Sequence, residues 1–200
     1  MKIKALTTAL CLTIAASASA YEVVEVDGGN LAGTITTKAA ASSSEIEVTK
    51  DQQEEGKDPA SMPAAELSNT DCRYIPHVQG MMIGQQLVIK NEDPILHNTH
   101  TYDASEKTVF NLALPIQGQT IKKRMKKPGL VNAKCDAGHT WMNGYVWVNE
   151  NPYYATTDAD GKFEITDIPE GDYTMVVWHE KFGSSEHDVS IDAGATATFS

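Results

Sequence analysis

Leu130-Val131-Asn132-Ala133-Lys134-Cys135-Asp136-Ala137-Gly138-His139-Thr140-Trp141-Met142, followed after Asn143-Gly144 by Tyr145-Val146-Trp147-Val148, reads as two short strands joined by a loop rich in metal donors. Apolar and polar residues alternate before the loop, the period of a half-buried strand, and a run of aromatic and β-branched residues, also strand-like, follows it. Within the loop a thiol, an imidazole and a thioether are packed between Cys135 and Met142, and His97-Asn98 lies upstream after a hydrophobic run. Copper that cycles between Cu(I) and Cu(II) needs a soft thiolate and imidazoles in a trigonal arrangement with a weak axial thioether. The residue types therefore point to one type 1 copper ion with His97, Cys135, His139 and Met142 as its candidate ligands.

Outward from that loop the chain reads as all-β. Runs at Arg73 to Met82, Gln85 to Lys90, Ile95 to Tyr102, Thr108 to Leu114 and Thr120 to Met125 are punctuated by Gly84, Asn91-Glu92-Asp93-Pro94, Gln117-Gly118 and Pro128-Gly129. Such turn residues between short alternating runs predict a sandwich or barrel over residues 70–150. Residues 151–200 predict a second, smaller sandwich, with a hairpin from Ala155 to Ile165 around Asp160-Gly161, a turn at Ile168 to Gly171 and an apolar strand from Asp172 to Trp178. That tail has too few strands to cover both of its faces, so Leu31 to Thr37, within an N-terminal portion spanning 21–49, is expected to join its sheet. A further strand is expected at Glu45 to Thr49. Residues 50–69, acidic and poor in large apolar side chains, are expected to form a mobile connection.

The first twenty residues carry Lys2 and Lys4, an apolar stretch from Ala5 to Ala16, and Ala18-Ser19-Ala20, the pattern of a cleaved secretory signal. Leu10 ahead of Cys11 fits lipid attachment poorly. A soluble periplasmic or secreted product is expected, because no later run approaches the roughly 18 apolar residues of a membrane span. The chain has 16 basic and 27 acidic residues, and loss of Lys2 and Lys4 with the leader makes the balance more negative still. Nucleic acid and anionic membranes are poor partners for such a surface. Only Cys72 and Cys135 survive removal of the leader, in a compartment that oxidises thiols. Either they pair as a disulfide, or Cys135 is a metal thiolate and Cys72 is an extra ligand or a free neighbour.

Tyr74-Ile75-Pro76, the turn at Gly84, Leu87 to Asn91, His97-Asn98, Pro128-Gly129, Cys135, His139 and Met142 resemble the cupredoxins, plastocyanin and amicyanin among them. Thr157 to Phe163 and Pro169 to Thr174 resemble the carboxypeptidase regulatory-like, transthyretin-related fold; a chain combining the two is similar to methylamine-utilisation-like exported bacterial proteins. The resemblance implies a Greek-key sandwich with a small transthyretin-like β-sandwich. It implies His97 as upstream ligand, Asn98 as the residue that steadies the cysteine loop and Trp141 as a shield against water. The spacing Cys-x3-His-x2-Met has one residue more between Cys135 and His139 than either relative, and Gly138 is where that residue is absorbed, since glycine accepts backbone angles closed to others.

His100 lies three positions from His97 and is expected on the opposite face of the strand. His77 and His179 are read as supports of the site or of a domain contact. Lys122 to Lys127 is read as a solvated strand edge that discourages sheet aggregation, with docking of an acidic redox partner as the alternative. Asp158, Asp160 and Asp167 lack the downstream bidentate Glu of a calcium loop and are read as hairpin chemistry. No activated nucleophile or pair of catalytic carboxylates is evident. The expectation is one-electron transfer between periplasmic redox proteins rather than catalysis. The alternatives are a copper-storage protein and a disulfide-stabilised recognition module. The sequence does not set an oligomeric state.

Overall fold

Alternation of apolar and polar residues carries through into the structure. A computed structural model describes residues 22–23, 28–35, 55–56 and 62–199. The expected leader, the strand at Glu45 to Thr49 and most of the acidic connection lie outside the described residues. Among those described there are sixteen strands and no helix. They are β1 (Glu22–Val23), β2 (Gly29–Thr34), β3 (Glu55–Gly56), β4 (Ala65–Thr70), β5 (Arg73–Ile75), β6 (Val78–Met82), β7 (Gln86–Asn91) and β8 (His97–Asp103). The remainder are β9 (Thr108–Leu114), β10 (Thr120–Arg124), β11 (Gly129–Lys134), β12 (Asn143–Asn149), β13 (Lys162–Ile168), β14 (Gly171–His179), β15 (Gly183–Ile191) and β16 (Thr196–Phe199).

Nine of these make a double-sheet sandwich. One sheet has the order β10-β7-β4-β5 and the other β6-β12-β11-β8-β9. Between them lie Leu67 of β4, Tyr74 of β5, Leu87 and Ile89 of β7, Leu114 of β9, Val131 and Ala133 of β11, and Val146 and Val148 of β12. Successive strand side chains point to opposite faces, so β12 buries Gly144, Val146 and Val148 while Tyr145 and Trp147 stay half-exposed on the outer face. Burying each Val, Leu or Ile contributes about 1.5–3 kcal/mol, which makes this layer the main stabilising element around the site.

The second unit is a sheet of order β13-β2-β16 and a hairpin of β14 with β15. Leu31 of β2 packs with Tyr153, Phe163, Ile165, Tyr173, Met175 and Ile191. The nine-stranded sandwich thus falls in sequence between β2 and its sheet partners. The two units touch where Trp178 meets the outward rings of Tyr145 and Trp147, at centroid separations of 5.1 and 5.8 Å. At the same contact a ring nitrogen of His77 lies 3.1 Å from Glu180 Oε2.

Three local expectations need correction. The last residues of the expected connection form β4, which runs parallel to β7 with Leu67 opposite Ile89 and is fully buried at Leu67. The signal was weak because β4 buries polar Ser68 and Asn69, the latter donating its amide to Lys90 O at 2.7 Å. The run from Arg73 to Met82 splits at Pro76, which has no N–H to offer a ladder, and its halves join opposite sheets as β5 and β6. The turn at Asp160-Gly161 exists, with the Gly161 N–H donating to Asp158 O at 3.0 Å, but its incoming arm is not a strand. β13 pairs with β2 instead, Ile165 opposite Leu31.

Candidate metal centre

Register alone brings the donors to one end of the sandwich. β8 and β11 run antiparallel with His100 opposite Lys134 and Thr101 opposite Ala133. Carried three residues further, the same register sets the start of β8, His97, beside the loop that follows β11. His97 shares the inward face with Thr99 and Thr101, all three wholly buried. His100 takes the outer face and bonds to Asp136 Oδ2 at 2.6 Å and Thr108 Oγ1 at 2.8 Å. His100 is not among the converging donors.

Cys135 Sγ lies 3.9 Å from His97 Nδ1 and 3.6 Å from His139 Nδ1. The two imidazole centroids are 4.6 Å apart. A metal with bonds of about 2.3 Å to sulfur and about 2.0–2.1 Å to nitrogen, opened to between tetrahedral and trigonal angles, separates its sulfur and nitrogen by about 3.5–3.8 Å. The His139 distance falls within that range and the His97 distance about 0.1 Å beyond it, so these three residues fit a copper ion of the thiolate-imidazole class. His97 and Cys135 are buried and His139 is half-buried. Met142 is buried in the same core cluster as Cys135, and its N–H closes the loop by donating to His139 O at 2.9 Å.

Each donor is held by a neighbour. Asp93 Oδ2 lies 2.8 Å from His97 Nε2. A proton on Nε2 shared with the carboxylate leaves the Nδ1 lone pair facing Cys135, the tautomer a metal requires. Asp93 also accepts the N–H of Asp71 at 2.8 Å and that of Cys72 at 2.9 Å. Burial pushes the Asp93 carboxyl up, but the N–H groups of Cys72 and Asp71 and the His97 ring together outweigh it and hold the group below its ordinary value. Asn98 Oδ1 accepts the N–H of Asp136, next to Cys135, and Asn98 O accepts the Tyr74 hydroxyl at 2.6 Å. Burial, the largest influence on Tyr74, pushes its phenol well up and keeps it a donor. Gly138 has φ of 94° with open space where a side chain would stand, in keeping with an extra loop residue taken up there.

Trp141 is 63% exposed, its ring stands edge-on to His139 at 5.5 Å, and its indole N–H donates to Cys72 O at 3.0 Å. The disulfide alternative is overturned: Cys72 and Cys135 are both free, and Cys72 sits instead in the two-residue turn from β4 to β5. His179, buried at the end of β14, packs its ring against Phe182. Asp93 was missed in the sequence because Asn91-Glu92-Asp93-Pro94 reads as turn chemistry. Its one signal was a carboxylate four residues ahead of a candidate ligand.

Residues 127–199 match the family profile described as polysaccharide lyase family 4, domain II. No curated protein matches the chain. Among solved structures, a purple cupredoxin from Nitrosopumilus maritimus is 23% identical with a TM-score of 0.37, over 42% of this chain and 99% of that one. An oxidised amicyanin variant is 19% identical with a TM-score of 0.39, over 46% of this chain and 89% of that one. A copper-containing nitrite reductase from Thermus scotoductus is 18% identical with a TM-score of 0.36, over 43% of this chain and 22% of that one.

Proposed function

We propose that this chain is an exported, cupredoxin-like electron carrier that binds one type 1 copper ion through His97, Cys135 and His139, with Met142 as the weak axial donor. The observation that carries the reading is the closing of one thiol and two Nδ1 atoms to 3.6 and 3.9 Å at the end of a rigid sandwich. Bound copper supplies a one-electron couple between Cu(I) and Cu(II). The protein's part is to keep the donors where they are. Asp93 fixes the His97 ring, Asn98 ties the cysteine loop to β8, and the buried layer beneath excludes water. Donors drawn from two chain segments on one scaffold move little when the charge changes.

His139 is the half-buried donor of the three, beside exposed Trp141, and is where a docked redox protein comes nearest the donors. The proposed partners are periplasmic redox proteins, reached by an acidic carrier whose basic edge at β10 (Lys122, Lys123 and Arg124) is the one stretch of opposite sign. The second unit is proposed to be a carboxypeptidase regulatory-like, transthyretin-related module, as in methylamine-utilisation-like proteins. The chain is proposed to act as a carrier and not as an enzyme. Absorption and electron paramagnetic resonance of copper-loaded protein test the centre. An intense visible band with narrow hyperfine splitting, abolished in Cys135→Ser, supports it; a colourless copper complex unchanged by that substitution overturns it.

A further inference from the structure

His97 has a second set of donors on its other side. A thiol at Cys72, a carboxylate oxygen of Asp93 and a ring nitrogen of His97 all lie within 4.8 Å of one another. His97 is buried while Asp93 and Cys72 are half-buried, so this triangle opens outward on the side of the thiol and the carboxylate. The set shares only His97 with the first triangle.

Local backbone geometry argues that Cys72 is placed there for its side chain. Thr70 pairs with Arg73, leaving Asp71 and Cys72 as a two-residue hairpin turn with φ of 50° and 53°. That is a type I′ turn, whose second central position ordinarily takes glycine. A residue with a Cβ costs about 1–2 kcal/mol there relative to the right-handed region. Asp93 offsets the cost by accepting both turn N–H groups, and the same carboxylate faces His97. Departures from local preference concentrate where a side chain has a task.

We infer that Cys72, Asp93 and His97 form a second metal site, for a divalent ion of the zinc class, with His97 bridging it to the thiolate-imidazole centre. One sulfur, one nitrogen and one oxygen donor with a fourth position left to water is a set zinc accepts in tetrahedral geometry. The metal takes the Nε2 lone pair and the Cys72 thiol gives up its proton; the imidazole proton moves to Nδ1 while the first centre is empty and leaves only when that centre is filled, so one proton leaves in the first case and two in the second. The 2.8 Å contact between Asp93 and His97 opens by about 0.6 Å to admit two bonds of about 2.0–2.2 Å at a tetrahedral angle. The inference shares His97 with the copper reading but does not need copper to be bound.

The test is a titration of the metal-free chain, carrying Cys11→Ser so that Cys72 and Cys135 are its two thiols, with Cd(II), following thiolate-to-cadmium absorption in the ultraviolet and bound metal after desalting. This parent chain is expected to take two equivalents, and Cys72→Gly one, with about half the absorbance. Glycine suits the turn, so Cys72→Gly stays folded; Cys72→Ser serves as the second variant. Cys135→Ser is expected to keep one equivalent, through Cys72. One equivalent in the parent chain, lost in Cys135→Ser and kept in Cys72→Gly, overturns the second site and leaves the copper centre standing. One equivalent lost in Cys72→Gly and kept in Cys135→Ser supports the second site and overturns the copper centre. No retained cadmium in the parent chain overturns both.

Discussion

Asp93 and His97 stand four residues apart across the turn into β8, and the Asp93 carboxylate lies 2.8 Å from His97 Nε2 while also accepting two backbone N–H groups from the β4–β5 turn. One side chain therefore sets the ring's tautomer and fixes the hairpin that carries Cys72. Loss of a partner that orients a ligating imidazole typically lowers metal affinity 10–100-fold. Asp93→Ala is expected to lower Cu(II) affinity by about that factor in competition with a chelator, while the protein still folds. Affinity within twofold of wild type would mean that the carboxylate does not orient the ring.

β4 supplies a second prediction. Leu67 is fully buried on a strand flanked by β7 and β5, so truncation leaves a cavity between two sheets. Leu67→Ala is expected to cost about 2–5 kcal/mol, read as a lower urea midpoint with an unchanged slope. A loss below about 1 kcal/mol would mean that residues 65–70 contribute little to the sandwich.

The contrast between β4 and the ligand loop shows what the sequence could disclose. The all-β class was legible because strands such as β12 alternate in burial over seven residues, and the donor loop because its residue types are chemically rare together. β4 was illegible because it buries polar Ser68 and Asn69 beside Leu67, and the Asn69 amide finds its acceptor only on a strand distant in sequence, at Lys90 O. The same holds for Asp93 and Cys72. A type I′ turn made by Asp71-Cys72 lacks the glycine that announces one, and the carboxylate that stabilises it comes from about twenty residues downstream. Non-local hydrogen bonding leaves no periodicity to read.

Tyr173 gives a pH dependence with a defined sign. Its hydroxyl donates to Pro169 O at 2.6 Å across the β13–β14 turn, and burial pushes its pKa up to about 12. An acid whose folded pKa is raised stabilises the fold fully below its unfolded value of about 10. Between about 10 and 12 the unfolded chain binds fewer protons than the folded one, so stability falls as pH rises. Tyr173→Phe is expected to cost about 1 kcal/mol at neutral pH and to lose less stability than wild type across that window. Parallel pH profiles for the two proteins would contradict the assignment.

Gly138 tests whether loop geometry or donor identity governs the centre. At φ of 94° a side chain meets no neighbour but strains the backbone, so Gly138→Ala is destabilising by roughly 1 kcal/mol or more. Relief of that strain shifts the segment between Cys135 and His139, whose Sγ and Nδ1 atoms are held at 3.6 Å. Gly118, at φ of 78° in a turn between β9 and β10, also has open space around it and serves as the control. Both alanine variants are expected to lower the melting temperature by similar amounts. Only Gly138→Ala is expected to shift the visible band of the copper-loaded protein and weaken its affinity. Equal spectra for the two variants would show that the donors find their positions without help from the loop's backbone.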